Sequence, residues 1–503
     1  MDTGIRHVFV LMLENRSFDH MLGFSSLAGS DAETGAATRA DGLTGSESNT
    51  YNGLTYTVAP GADFAQPVDP GHEFPDILMQ LGGPGAAYPR GGPYPPIVNT
   101  GYVASYVANG GIADPGQIMR VYSPSQLPVL NALAAEFVVC DRWFSSMPGP
   151  TWPNRLFLHA ASSAGLDHSP STEEIVQWET LEGLAFPNGT IFDALNRKRV
   201  TRRLYAGDDF PMVAALKGIQ LDDIRPYHHF AADLAQPSYP YSYTFIEPSY
   251  NALGDYRCST SQHPLDDVTR GEALIQSVYE TIRNSAVWPD SLLILIWDEP
   301  GGFYDHATPP RATPPGDTGL STASNQYGFA FDQYGPRVPA VIISPRISRN
   351  LVDHRVYDHT SVLATIEKLF GLDPLTARDA AARDLLPLVT LQAPRQDAPL
   401  RLPGPAVSGV GGCPPVSLFD PVAASAASAA SIAVKEGIAR PDAPLTPGNL
   451  VGTLHAALRR ELATVSPDLR GHVLAQAAAM RTRADAAGFL AQVTARLKAG
   501  QNA

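Results

Sequence analysis

Short, unbroken apolar runs punctuate this chain. Between them lie stretches whose apolar positions recur every three or four residues. Val8–Leu13, Phe137–Cys140, Arg203–Ala206, Tyr243–Ile246, Leu292–Trp297 and Val338–Ser344 show no polar alternation, which predicts strands covered on both faces. Helical spacing falls between them, at Ser125–Ala135, Thr190–Asn196, Thr269–Ser285 and Thr360–Phe370. Strand and helix in alternation predict an α/β fold, a mostly parallel central sheet with helices on both faces. Gly29 to Gly110, rich in Gly, Pro, Thr and Tyr, predicts long loops capping that sheet. After residue 390 the pattern changes: 391–448 is a Pro/Gly/Ala-rich connector containing "GPAVSGVGGCPP" and "AASAASAASIAV". Asn449 to Lys498 then reads as two or three amphipathic helices, so the expected organisation is 1–390, 391–448 and 449–503.

Composition narrows the function. The 503 residues carry a formal net charge of -14, which excludes a nucleic-acid groove, since phosphate backbones need a basic face. A small phosphorylated ligand remains compatible, because a bound cation supplies local positive charge. The longest apolar runs are strand-length, far short of the roughly 20 residues a membrane helix needs. The first strand begins within a few residues of Met1, with no basic leader or cleavage site, so the chain is expected to stay in the cell unless a leader was removed. Of three cysteines, Cys140 reads as a buried thiol. Cys258 and Cys413 are either bridged or two free thiols.

The candidate chemistry sits where strands end. Val8–Leu13 empties into Glu14-Asn15, and Leu292–Trp297 into Asp298-Glu299. Ligands of open parallel sheets bind outside the carboxyl ends of the strands, so both pairs can converge there. Carboxylates crowded together stay ionised only beside a cation. A third element follows the turn Pro148-Gly149-Pro150, where Thr151 occupies an N-cap position ahead of Pro153. A hydroxyl there either caps the helix or, beside a metal, attacks phosphorus.

Five motifs in order carry a resemblance: "LENRSFDHMLG", "DPGH", "GPTWPNR", "DEPGGFYDHATPP" and "RVPAVIISP" with "YDHTS". Together, from about His7 to Asp384, they resemble the bacterial and plant phosphoesterase family. That family holds the non-specific, phosphatidylcholine-type phospholipases C and related acid phosphatases within the alkaline-phosphatase-like superfamily. The resemblance implies one divalent metal held by Glu14, Asn15, Thr151, Asp298 and Glu299, with Thr151 as nucleophile. Oxygen donors favour Ca²⁺, Mg²⁺ or Mn²⁺, with Zn²⁺ as an option. It also implies that His72 and His263 touch the phosphoryl group, and that Asn15 helps hold its oxygens. Asp19, His20, Arg155, Asp305, His306, Asp358 and His359 fall in matched motifs as supports behind the ligands, with Arg16 and Arg155 steadying carboxylates. Family members often carry His after the "DE" pair, where this chain has Pro300.

The expected substrate is a phospholipid or another phosphate ester, with peripheral membrane contact if it is a lipid. An acid phosphatase acting on soluble monoesters is the alternative. A sulfatase is excluded, because Thr151 cannot yield a formylglycine aldehyde. A non-catalytic phospholigand-binding protein would have lost a ligand or the nucleophile, and all are present. By resemblance the protein is secreted or periplasmic, against the missing leader. Tyr94, Tyr102, Tyr106, Trp143, Trp152 and Tyr241 could line an apolar mouth, but read more simply as packing residues. The C-terminal stripe Val451, Leu454, Leu458, Leu462, Phe489, Leu490, Val493 and Leu497 is expected to pack on the catalytic region near the site's mouth, leaving Arg459, Arg460, Arg481, Arg483, Arg496 and Lys498 in solvent. The alternative is a basic amphipathic surface resting on an anionic membrane.

Overall fold

The computed structural model describes residues 3–171, 183–208, 211–219, 223–317, 324–414, 416, 441–445 and 449–501. Strands β1 (His7–Leu13), β2 (Ala28–Asp31) and β3 (Ala37–Arg39) open the chain. Next come β4 (Ser48–Tyr51), β5 (Leu54–Thr57), β6 (Ala59–Pro60) and β7 (Arg120–Val121). β8 (Val138–Cys140), β9 (Arg202–Ala206), β10 (Ile224–Pro226) and β11 (Tyr243–Glu247) follow, then β12 (Ser291–Trp297), β13 (Ala340–Ile343) and β14 (Leu351–Asp353).

One sheet runs in the order β10-β9-β11-β1-β12-β13-β8-β14-β2-β3. β1 lies parallel to both β11 and β12, and β9 parallel to β10 and β11. β14 is parallel to β8 and β2. β13 runs antiparallel to both its neighbours, and β3 antiparallel to β2. Every residue from Val8 to Leu13 and from Ser291 to Trp297 is buried, so both faces of the sheet's centre are covered. The cover includes Leu130 and Leu133, Ile275 and Val278, and Val362 and Ile366, from the helices Pro128–Glu136, Val268–Arg283 and Thr360–Phe370. No described helix is long and apolar enough to cross a membrane.

Gly29–Gly110 is more regular than its composition predicts. β4 and β5 form a hairpin around Asn52-Gly53, whose positive φ values of 50° and 75° suit the tight turn of a two-residue loop. The helix Phe74–Gly82 starts from a capping box between Glu73 and Asp76, and Tyr102–Ala108 packs against it.

The C-terminal helices Asn449–Thr464, Arg470–Ala479 and Arg483–Gln501 enclose their own apolar cluster, including Leu454, Leu458, Leu462, Phe489, Leu490 and Val493. Ala214 and Ala252, from segments following β9 and β11, complete that cluster, so the helices sit near the carboxyl ends of those strands. The expectation that the arginines lie in solvent is corrected for two of them. Arg483 is buried, and Arg459 donates to Leu216 O at 2.9 Å. The side chains of Val451, Leu497 and Lys498, and the "AASAASAASIAV" run, lie outside the described residues. Cys258 and Cys413 are bridged, and Cys140 is a buried thiol.

Candidate active site

β1 and β12 end together. Leu13 pairs with Trp297 in register, which puts Glu14 and Asn15 beside Asp298 and Glu299. Asn15 turns the chain in the left-handed region, φ 55°, which Asn tolerates better than most residues. Its backbone N–H donates to Asp298 Oδ1 at 2.9 Å, and Glu299 N–H donates to the same oxygen at 2.7 Å. Arg155 Nε donates to Asp298 Oδ2 at 2.8 Å, and another guanidinium nitrogen donates to Leu13 O at 2.9 Å. The following loop crosses close over Asn15, and a Cβ on Gly301 (φ 64°) would lie 2.1 Å from Asn15 O. Glycine is required there.

Thr151 corrects its expected position. The N-cap of the helix Thr151–Ala160 is Pro150, and Thr151 is the first helical residue, so its hydroxyl does not cap. It donates instead to Asn15 Oδ1 at 3.2 Å. Asn154 holds the approach rigid, its amide donating to Gly149 O at 2.9 Å and Pro150 O at 3.0 Å. Neither that staple nor its role was visible in the motif.

A cavity of about 540 Å³ opens over this corner, lined by Glu14, Asn15, Thr151, His72 and His263 among others. His72 Nδ1 donates to Pro70 O at 2.8 Å, and its Nε2 stands 3.4 Å from Asn15 Nδ2. Burial disfavours the His72 cation, but Glu299, Asp69 and Glu73 outweigh burial and push its pKa up to about 10. His263 behaves oppositely: burial first, then His72 and Arg16, hold it well below its ordinary value. Its Nδ1 accepts the Leu265 N–H at 3.3 Å, leaving the proton on Nε2, which faces Asp69 at 3.5 Å. Tyr256, Asp69 and Glu73 also line the cavity and were not singled out from sequence, and Arg483, expected in solvent, lines it too.

The remaining predicted residues stand behind the cavity. His359 Nε2 donates to Asp298 O at 2.6 Å while its Nδ1 accepts from Trp143 at 3.3 Å, so both ring nitrogens are engaged. Asp358 takes the Ser146 hydroxyl at 2.8 Å, bracing the segment before Thr151. Asp19 and Asp305 share the buried Arg337, each at 2.9 Å, and His306 donates to Asp19 at 2.7 Å. His20 stacks on Phe303 at 3.7 Å, and burial then Arg16 keep it uncharged. Arg337, not singled out from sequence, thus joins the first motif to the "FYDH" loop. The Arg16 side chain steadies carbonyls rather than carboxylates, donating to Gln262 O at 2.7 Å and His263 O at 3.3 Å. Of the six aromatics weighed as a mouth, Tyr94, Tyr102, Tyr106, Trp143 and Trp152 are buried.

The donors here are oxygens, the kind a hard divalent cation takes. Glu299 Oε1 is buried with no hydrogen-bond partner, an arrangement that costs free energy unless a cation or proton meets it. Burial raises both Asp298 and Glu299, Arg155 opposing it at Asp298 and His72 at Glu299. Among the described residues no three His, Cys, Asp or Glu side chains form a ready metal cluster.

Residues 5–373 match the Phosphoesterase family. Non-specific phospholipase C6 of Arabidopsis thaliana is 36% identical over 420 residues, spanning 79% of this chain and 75% of its own. Phospholipase C B of Mycobacterium tuberculosis is 28% identical over 456 residues, 81% of this chain and 82% of its own. A phosphonate monoester hydrolase of Agrobacterium radiobacter superposes with a TM-score of 0.33 at 12% identity, covering 53% of this chain and 73% of that one, too partial a likeness to assign an activity. With that match and the site at the ends of β1 and β12, the chain belongs to the Phosphoesterase family and is a phosphoric ester hydrolase.

Proposed function

We propose that this chain is a divalent-metal-dependent phospholipase C. It hydrolyses glycerophospholipids such as phosphatidylcholine to diacylglycerol and a phosphorylated headgroup, through a phosphothreonine at Thr151. The observation that carries the reading is the Thr151 hydroxyl, released from capping and directed at Asn15 inside the cavity. Glu14, Asn15, Asp298, Glu299 and Thr151 would hold the cation, which supplies positive charge to the phosphoryl oxygens and lowers the pKa of a neighbouring hydroxyl. Thr151 Oγ1 gives up its proton to water and bonds to phosphorus as the bond to the diacylglycerol oxygen breaks. The Nε2–H of His263 donates to the leaving oxygen, and His72 stands beside the phosphoryl oxygens in the same cavity. Water then cleaves the phosphothreonine.

Apart from Pro70, Leu265, Leu450, Tyr256 and Tyr327, the side chains lining the cavity are mostly polar or charged. Such a lining suits a headgroup and its phosphate, so acyl chains stay outside and the cavity mouth meets the lipid surface. The same polarity favours a second reading, a phosphatase acting on soluble monoesters. Turnover of phosphatidylcholine vesicles and of 4-nitrophenyl phosphate by one preparation decides between them. Phosphatidylcholine is expected to turn over faster; hydrolysis of the aryl phosphate alone would give the second reading precedence. Thr151→Ala is expected to fold and lose activity by orders of magnitude, and retention of more than about a tenth would remove Thr151 as nucleophile.

A further inference from the structure

The segment between β11 and the helix Val268–Arg283 is held in a shape its backbone disfavours. Asn251, Asp255, Tyr256, Cys258 and Gln262 have φ values of 46°, 53°, 63°, 63° and 70°. Each non-glycine residue in that region costs about 1 kcal/mol or more, so the segment persists only where its surroundings over-determine it. What it presents to the cavity is Tyr256, whose ring stacks on His263 with centroids 3.5 Å apart and planes 7° apart. His263 Nδ1 is fixed by the Leu265 N–H, so the tilt of the ring depends on the face Tyr256 offers.

The grip on this segment comes from the far end of the chain. Arg483 opens the last helix, and its own N–H is anchored to Ala443 O at 3.0 Å. One guanidinium nitrogen donates to Ala252 O at 2.6 Å, and another lies 2.9 Å from Asp255 Oδ1. These two points bracket the turn that leads directly into Tyr256. Arg483 is buried, and it lines the same cavity as Thr151, His72 and His263.

We propose that Arg483 is a positioning residue for phosphoester hydrolysis: its two-point hold on Ala252 and Asp255 sets Tyr256 against His263 and thereby aims the His263 Nε2–H at the bound ester. The C-terminal helices are then a working part of the site. This rests on the reading of His263 as a donor to the phosphoryl or leaving oxygen. Misplacing a reacting group by about 1 Å costs up to about a hundredfold. Arg483→Met is therefore expected to lower kcat by about ten- to a hundredfold while KM changes little. Asp255→Asn should do the same in smaller measure, and Arg483→Lys, which keeps the cation, should recover part of the loss.

The test is a double-mutant cycle with His263→Ala, run on phosphatidylcholine vesicles with the full-length chain and the apparent melting midpoint of every variant. If Arg483 acts through His263, Arg483→Met costs nothing further in the His263→Ala background. An equal loss of kcat in both backgrounds, tracking the drop in melting midpoint, would overturn the proposal and leave Arg483 a structural residue. Unchanged activity in His263→Ala alone would sink the role of His263 first, and the positioning role with it. Should Arg483→Met not fold, the same cycle with Asp255→Asn separates positioning from mere stabilisation in the same way.

Discussion

Replacing Arg155 by Met tests how the buried carboxylates at the ends of β1 and β12 are held. The side chain is buried, pairs with Asp298 at 2.8 Å and donates to Leu13 O at 2.9 Å. Methionine keeps much of the volume and removes both the charge and these donors. Unit charges about 4 Å apart attract by about 4 kcal/mol at an effective dielectric near 20. Breaking a buried pair by deleting one partner costs about 3–5 kcal/mol, which agrees. Two backbone N–H groups still reach Asp298 Oδ1, so the lower part of that range is expected. If Glu14, Asp298 and Glu299 share a cation, the variant should lose most stability in chelator and recover much of it with millimolar Ca²⁺, Mg²⁺ or Mn²⁺. A ligand at about a hundred times its Kd stabilises by about 2.7 kcal/mol, enough to bring the variant with cation close to the parent in chelator. The assay is tryptophan fluorescence against temperature at a fixed scan rate, with and without cation. A variant as stable as the parent in chelator would refute the charge argument. A melting midpoint that no divalent cation raises, in parent or variant, would refute the shared cation.

Three further outcomes follow from the same geometry. Gly301→Ala puts a Cβ 2.1 Å from Asn15 O at a φ of 64°, and is expected to lower stability by about 1–3 kcal/mol and kcat with it; unchanged activity would mean the loop moves freely. Glu272 is buried and accepts the N–H groups of Val129 at 2.7 Å and Leu130 at 2.9 Å, so Glu272→Gln should cost about 1–3 kcal/mol in thermal unfolding with kcat retained. Burial disfavours the His306 cation, but Asp19 and Asp41 outweigh burial and raise its pKa from 6.5 to about 10. The folded state therefore holds that proton more tightly than the unfolded one. Its contribution is complete below about 6.5 and lost as pH rises through about 10. His306→Asn should flatten the fall in melting midpoint between pH 7 and 10, and an unaltered slope would assign the fall elsewhere.

The centre of the sheet was readable because strands covered on both faces need continuous apolar runs, and few other elements carry them. That β1 and β12 are neighbours ending in register was not, since it depends on the order of strands remote in sequence. The hairpin around Asn52-Gly53 and the capping box at Glu73 did carry local signals, overridden by the Gly/Pro-rich composition around them. Arg337, the first residue of "RVPAVIISP", and Arg483, read as a solvated charge of the tail, gave no sign of their partners. A single arginine beside an apolar run reads as a solvated charge, and only the tertiary partners, Asp19 with Asp305 or Ala252 with Asp255, make it a buried anchor. Tyr256 was hidden for a related reason: stacking on His263 requires left-handed backbone that "GDYRC" does not announce.

The disulfide between Cys258 and Cys413 offers a separate tether on the same segment, and the two tethers can be told apart. It closes a loop of 155 residues, for which the chain-entropy view predicts about 5 kcal/mol, with about 2–5 kcal/mol the measured range for native bridges. That stabilisation acts mostly on the unfolded chain, so its loss need not move the folded site. Arg270 also holds both sides of the bridge without it, donating to Ser259 O and Cys258 O at 3.0 Å and to Pro414 O at 2.9 Å. Cys413→Ser should therefore lower the melting midpoint markedly while kcat on phosphatidylcholine stays within about twofold. Arg483→Met should lower kcat about ten- to a hundredfold as well as the melting midpoint. If Cys413→Ser lowers kcat as far as Arg483→Met does, and that loss also vanishes in the His263→Ala background, then the bridge rather than the C-terminal arginine sets Tyr256 against His263.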